Sequence, residues 1–79
     1  METHLRVTLY GILQERIASE LSLTVQLKNV FELRSYLEEK YPVLRKIPYL
    51  VAINRTISSP ESSLISGAEI ALLPPFSGG

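Results

Sequence analysis

Asn29-Val30-Phe31-Glu32-Leu33-Arg34-Ser35-Tyr36-Leu37-Glu38-Glu39-Lys40-Tyr41-Pro42 is the stretch that decides the fold. Val30, Leu33, Leu37 and Tyr41 recur at helical spacing and make one apolar stripe. Arg34, Glu38, Glu39 and Lys40 take the water side. Asn29 suits the N-cap, because its side-chain oxygen can accept from a free amide of the first turn. Glu32, at the third helical position, completes a box-like start signal. Pro42 disfavours helical backbone in the residue before it and so ends the helix. The result is one amphipathic helix with a single face to bury.

The segments on either side of it read as strands. Residues 5–11 alternate, with Leu5, Val7 and Leu9 on one side and Arg6, Thr8 and Tyr10 on the other, and Gly11 ends the run. Residues 12–20, with Ile12, Leu13 and Ile17 among polar neighbours, read as a short helical turn or loop. Residues 21–27 alternate again, placing Leu21, Leu23, Val25 and Leu27 together. Two adjacent strands with a short link suggest an antiparallel pair. After the helix, residues 43–48 form a connector with Arg45 and Lys46 exposed. Residues 49–54 are the most apolar strand. Asn54-Arg55 is a tight turn, since Asn tolerates left-handed backbone, and residues 56–58 make a short edge strand. Ser59-Pro60-Glu61-Ser62 reads as a cap and one helical turn with Pro60 at its first position. Leu64 plugs the core, and Gly67 turns the chain into a final strand over residues 68–73. One main helix packed on one face of a mixed sheet is a two-layered α+β architecture.

Composition narrows the function classes. The chain has 79 residues, enough for one domain near the small end for independent folding. Its 46% hydrophobic content supplies a core, and no apolar run is long enough for a membrane span. No signal peptide is expected at its start. With no cysteine there is no disulfide framework and no thiolate chemistry, so a cytoplasmic location is the default. Eight basic and eight acidic residues cancel, which argues against nucleic acid as a partner. No catalytic constellation is visible. The chain has one histidine, His4, and no aspartate. Glu38 and Glu39 are helix neighbours that point apart, so they cannot act as a carboxylate pair. The glycines form no phosphate loop, and the serines between Ser58 and Ser66 have no nearby histidine. The sequence predicts a carrier or ligand with no metal site, not an enzyme on its own.

The other informative stretch is Pro74-Pro75-Phe76-Ser77-Gly78-Gly79. It divides the chain into a domain over residues 1–74 and a tail over residues 75–79. Pro74 and Pro75 fix φ and disfavour helix, so they stiffen the departure of the tail. Gly78 and Gly79 lack Cβ atoms, so with Ser77 they can thread a channel too narrow for other residues. The preceding strand is apolar on both sides, with Ile70 and Leu72 on one and Ala71 and Leu73 on the other. One helix covers one face of a sheet, so the other face should present apolar surface to a partner. Ile70, Leu72, Pro74, Pro75 and Phe76 are the expected partner-binding residues. Phe76, an aromatic between Pro and Gly, is the expected anchor.

These residues also carry a resemblance. Leu50-Val51-Ala52-Ile53-Asn54-Arg55, Gly67-Ala68-Glu69-Ile70-Ala71 and the Pro-Pro-x-x-Gly-Gly end resemble the small subunits of molybdopterin synthase, which are ubiquitin-like sulfur carriers. The likeness is strong over roughly the last third of the chain. Before that it rests on hydrophobic pattern and element order. Ala68 departs from the family, which usually has an acidic residue there. The resemblance implies a β-grasp (ubiquitin-like) fold, with the first and last strands side by side in the middle of the sheet.

The resemblance also implies a function. The Gly79 carboxylate is adenylated and then thiocarboxylated, and its sulfur goes to cyclic pyranopterin monophosphate inside molybdopterin synthase. The implied partners are the large subunit of molybdopterin synthase, an E1-like adenylating enzyme and a persulfide sulfur donor, with no nucleic acid and no membrane. No cofactor is bound by the chain, and ATP is used by the activating enzyme. Three other roles fit the residues: a sulfur carrier for thiamine synthesis or tRNA thiolation, a protein modifier joined to lysines through Gly79, and a passive interaction module with an unactivated tail.

Overall fold

A computed structural model describes residues 3–74. The chain order is β1 (Thr3–Leu9), α1 (Ile12–Arg16), β2 (Glu20–Val25), α2 (Val30–Lys40), a 3-10 turn (Pro42–Arg45), β3 (Leu50–Ile53), β4 (Thr56–Ile57) and β5 (Glu69–Leu73). The five strands lie in the order β2-β1-β5-β3-β4. β1 and β5 are parallel and central, with Val7 opposite Ile70 and Leu9 opposite Leu72. The other pairs are antiparallel, β1 with β2, β5 with β3 and β3 with β4. With α2 on one face, this is the β-grasp arrangement that the resemblance implies.

α2 forms where the apolar stripe predicts it, and every amide of its first turn has a partner. The Asn29 side chain accepts from the Glu32 amide at 2.9 Å. Val30 N donates to Ser62 O and Phe31 N to Pro60 O, both at 3.0 Å. Leu33 N donates to Asn29 O at 3.1 Å as the first intrahelical bond. The Glu32 carboxylate reaches back and accepts from Lys28 N at 2.7 Å, one residue before the donor of a standard capping box. A helix start left without these partners would hold unsatisfied donors. Their sources also correct one expectation. Ser59–Ser62 is a turn, not a helical turn. Ser62 N donates to Ser59 O, and the Pro60 and Ser62 carbonyls point at α2 instead of continuing a helix. At the other end, Tyr41 N donates to Leu37 O at 2.7 Å before Pro42 opens the 3-10 turn.

The core lies between α2 and one face of the sheet. Leu5, Val7 and Leu9 of β1, Leu23 of β2, Val51 of β3 and Ile70 and Leu72 of β5 pack against Val30, Leu33 and Leu37 of α2. Leu13 of α1, Leu44 of the 3-10 turn and Leu64 close the ends. Each fully buried aliphatic side chain contributes on the order of 1.5–3 kcal/mol.

Two local devices frame the sheet. Asn54 and Arg55 both adopt positive φ, 50° and 70°, in the two-residue β3–β4 turn. Such turns match the right-handed twist of the strands they join. On the helix side, the Tyr49 hydroxyl donates to Glu38 at 2.8 Å, and the Arg34 guanidinium lies 4.2 Å from the centre of the Tyr49 ring. Arg34 also donates to the Tyr49 carbonyl at 3.4 Å, which fastens α2 to the start of β3.

Candidate functional site

β5 is hydrogen-bonded on both sides and delivers the chain to Pro74 from the middle of the sheet. Side chains alternate along it. Ile70 and Leu72 have no exposed surface and point into the core beneath α2. They are therefore not available to a partner, and their expected docking role is corrected. The outward residues are Ala71 and Leu73, both half-buried. The signal for this phase was in the sequence. Glu69 shares its side of the strand with Ala71 and Leu73, and a carboxylate there belongs on the solvent face.

Among the described residues no helix covers that outward face. Thr8, Ala71, Ala52 and Ile57 are register partners across four neighbouring strands, so they form one row. The middle of the row is built from small side chains. This leaves a shallow groove of about 310 Å³ bordered by Tyr10, Leu73 and Arg55. Leu50 and Leu73 pair directly in the next row, toward the tail. Ile57 is 55% exposed and Tyr10 47% exposed. Toward the opposite end of the sheet the same face becomes charged. Arg6 stands opposite Glu69 and pairs with Glu20 at 3.8 Å, while Arg55 pairs with Glu69 at 3.6 Å. The apolar half thus adjoins the point where the chain leaves the sheet. Sequence reasoning missed Ala52, Ile57 and Tyr10 as members of this face, because their adjacency depends on strand order.

Pro74 lies half-buried at the exit. Pro75, Phe76, Ser77, Gly78 and Gly79, expected as docking, threading and reacting residues, lie outside the described residues, as does the proposed tail boundary.

Among the described residues no three His, Cys, Asp or Glu side chains come together to hold a metal ion. Burial, and then the hydrogen bond to Glu38, pushes the Tyr49 phenol well above its ordinary value, so it stays neutral. It is engaged with α2 on the covered side. No helix among the described residues is long and apolar enough to cross a membrane.

Comparison with known proteins places these features in a family. The chain matches the ThiS family over residues 7–79. No curated protein matches it significantly by sequence. Among solved structures it is similar to the Pyrococcus furiosus chain described as molybdopterin converting factor subunit 1. That match has a TM-score of 0.85 and 13% identity, and covers 94% of this chain and 99% of that one. The small archaeal modifier protein 1 of Methanosarcina acetivorans superposes with a TM-score of 0.80 at 25% identity, covering 100% of this chain and 99% of that one. The complex of subunits 1 and 2 of the Helicobacter pylori molybdopterin-converting factor contains a third relative. It has a TM-score of 0.70 and 24% identity, over 98% of this chain and 100% of that one. The chain belongs to the ThiS family, a group of small β-grasp sulfur carriers and ubiquitin-like modifiers.

Proposed function

We propose that this chain is a sulfur carrier for molybdenum cofactor biosynthesis, the small subunit of a molybdopterin synthase, with no catalysis of its own. One observation carries the reading. In sequence a Pro-Pro-x-x-Gly-Gly segment follows the central strand, and that strand borders an apolar face that α2 does not cover. Family membership and the subunit pairing of the Helicobacter pylori relative support it.

A carboxylate resists nucleophilic attack because its oxygen is a poor leaving group. An E1-like enzyme uses ATP to convert the Gly79 carboxylate to an acyl-adenylate, releasing pyrophosphate. A persulfide on a donor protein attacks the acyl carbon and expels AMP, forming an acyl disulfide. A protein thiol then attacks the donor-side sulfur. It is oxidised to a disulfide with the donor and leaves the thiocarboxylate on Gly79. Within the synthase this sulfur is transferred to cyclic pyranopterin monophosphate. Gly78 and Ser77 thread the large subunit's channel. Pro74, Pro75 and Phe76, with Ala71, Leu73 and Ile57 of the bare face, dock that subunit. ATP is held by the activating enzyme and no cofactor by this chain. The proposed setting is the cytoplasm.

The test is the intact mass of the chain after incubation with ATP, the activating enzyme and a sulfur donor. Exchange of one oxygen for sulfur at Gly79 is expected, and deletion of Gly79 should leave the fold intact and abolish the exchange. An unchanged mass with a competent activating enzyme would sink the reading. Likeness to the small archaeal modifier protein favours a second reading, conjugation to lysines through Gly79, which would appear as higher-mass conjugates in cell extracts.

A further inference from the structure

The turn between β1 and α1 lies against the base of the tail. A Cβ placed on Gly11 would sit 3.0 Å from Pro74 Cγ and 3.7 Å from Pro74 Cδ. That ring is bonded back to its own backbone, so its Cγ cannot swing aside as the end of a flexible side chain would. Gly11 also holds φ 58° and ψ −135°, a conformation open in practice to glycine alone. The turn is held firmly in place. Tyr10 N donates to Leu72 O at 3.2 Å, which ties the end of β1 to β5 just before the exit. Leu13 N donates to Tyr10 O at 3.2 Å and Gln14 N to Gly11 O at 3.1 Å, and the Leu13 side chain is fully buried. Gly67 supplies the contrast. It too has positive φ, 88°, but a Cβ there would meet nothing within 4 Å. Gly67 answers only to a turn, whereas Gly11 answers to a turn and to a ring pressed against it.

We propose that Gly11 is a positioning residue: the β1–α1 turn is a seat for the Pro74 ring, and the missing Cβ lets the ring settle there and sets the direction in which residues 75–79 leave the sheet. The functional half of this inference rests on the proposed activation of Gly79, and the seat itself does not. A side chain at position 11 lifts the ring and redirects the tail while leaving the carboxylate chemically intact. Misplacement of a reacting group by about 1 Å can cost on the order of 100-fold in rate.

The experiment compares Gly11→Ala with Gly67→Ala, each alone and in a Pro74→Ala background. The readouts are the thermal midpoint and kcat/KM for adenylation of the chain by its activating enzyme. Both glycine variants carry backbone strain and should lose thermal stability. Only Gly11→Ala should also lower kcat/KM, by roughly 10- to 100-fold. In the Pro74→Ala background, with no ring to displace, Gly11→Ala should have no further effect on kcat/KM. Equal kcat/KM for the two glycine variants, or a Gly11→Ala effect that persists without Pro74, overturns the seat. Nuclear Overhauser contacts between Gly11 Hα and the Pro74 ring protons in the unmodified chain test the seat without any enzyme. Their presence upholds it even if the chain is never adenylated, and their absence rejects it even if adenylation is normal.

Discussion

The two faces of the sheet come from the same strands and are finished in different ways. The covered face is made of large aliphatic side chains: Leu5, Val7, Leu9, Val51, Ile70 and Leu72, all packed beneath α2. The bare face carries Thr8, Ala71 and Ala52 at its centre, with Tyr10, Leu50 and Ile57 exposed toward its margin. Both are largely apolar near the tail, so polarity does not separate them there. Side-chain size does. Large residues fill the space under the helix, while small ones leave a groove on the opposite side. Among the described residues that face is left unfilled, and it keeps a groove.

The sharpest way to break this comparison is to truncate neighbours of opposite phase on β5. Leu72→Ala should cost about 2–5 kcal/mol, since it opens a cavity in the core. Leu73→Ala, one residue on, should cost well under half of that. Urea unfolding of both variants checks the pair, and equal losses would mean that the faces are not distinct. The next test loads the bare face with charge. Ile57→Asp should leave the thermal midpoint nearly unchanged, because the side chain is 55% exposed. If the proposed large-subunit partner docks here with Ile57 as an anchor, the same substitution should weaken binding about tenfold or more, measured by calorimetry. Unchanged affinity would remove Ile57 from the docking surface.

A smaller effect belongs to the clasp on the helix side. Tyr49→Phe removes the hydroxyl that donates to Glu38 and should cost about 1 kcal/mol in denaturant unfolding. It should also change the response to alkali. The phenol titrates higher in the folded chain than its ordinary value of 10.0. The stability it contributes is therefore complete below pH 10 and is lost as pH rises toward the folded value. Tyr49→Phe should lack that part of the alkaline loss, and an identical pH profile would count against the clasp. The smallest effect is at the rim of the bare face. Arg55 holds φ 70° in the β3–β4 turn, a strained conformation for a residue with a Cβ, but most of the relief from glycine there is offset by glycine's greater loss of chain entropy, leaving a net gain of a few tenths of a kcal/mol. Its ion pair with Glu69 is highly exposed and worth little. Arg55→Gly should raise the melting temperature slightly, while a clear fall would show that the pair matters more than the backbone.

What the sequence made legible follows from distance along the chain. α2, its Asn29 cap and the stop at Pro42 depend on residues within a few positions of one another, and all appear as expected. The Asn54-Arg55 turn and the core positions of β1 and β2 were equally local. Strand order was not local. The pairing of β1 with β5 came from family resemblance, since periodicity says which way side chains point but not which strand lies alongside. The phase of β5 was misread because apolar residues occupy both parities, although Glu69 marked the outward one. The Gly11–Pro74 contact joins residues near opposite ends of the described chain, and neither residue type announces the other.

The central position of β5 has a consequence for how the molecule is assembled. Without β5 the sheet falls into two separate hairpins, β2–β1 and β3–β4, and an isolated hairpin is marginally stable in water. Joining them requires contacts such as Arg6 with Glu69, which close almost the whole described chain into one loop. Long-range closure of this kind slows folding, and a single domain of this size folds as one cooperative unit. The groove, the Pro74 exit and the stable domain therefore come into being in a single event. A partner of the proposed kind, gripping face and tail together, would respond only to molecules that have completed that event, and its recognition would double as an inspection of folding.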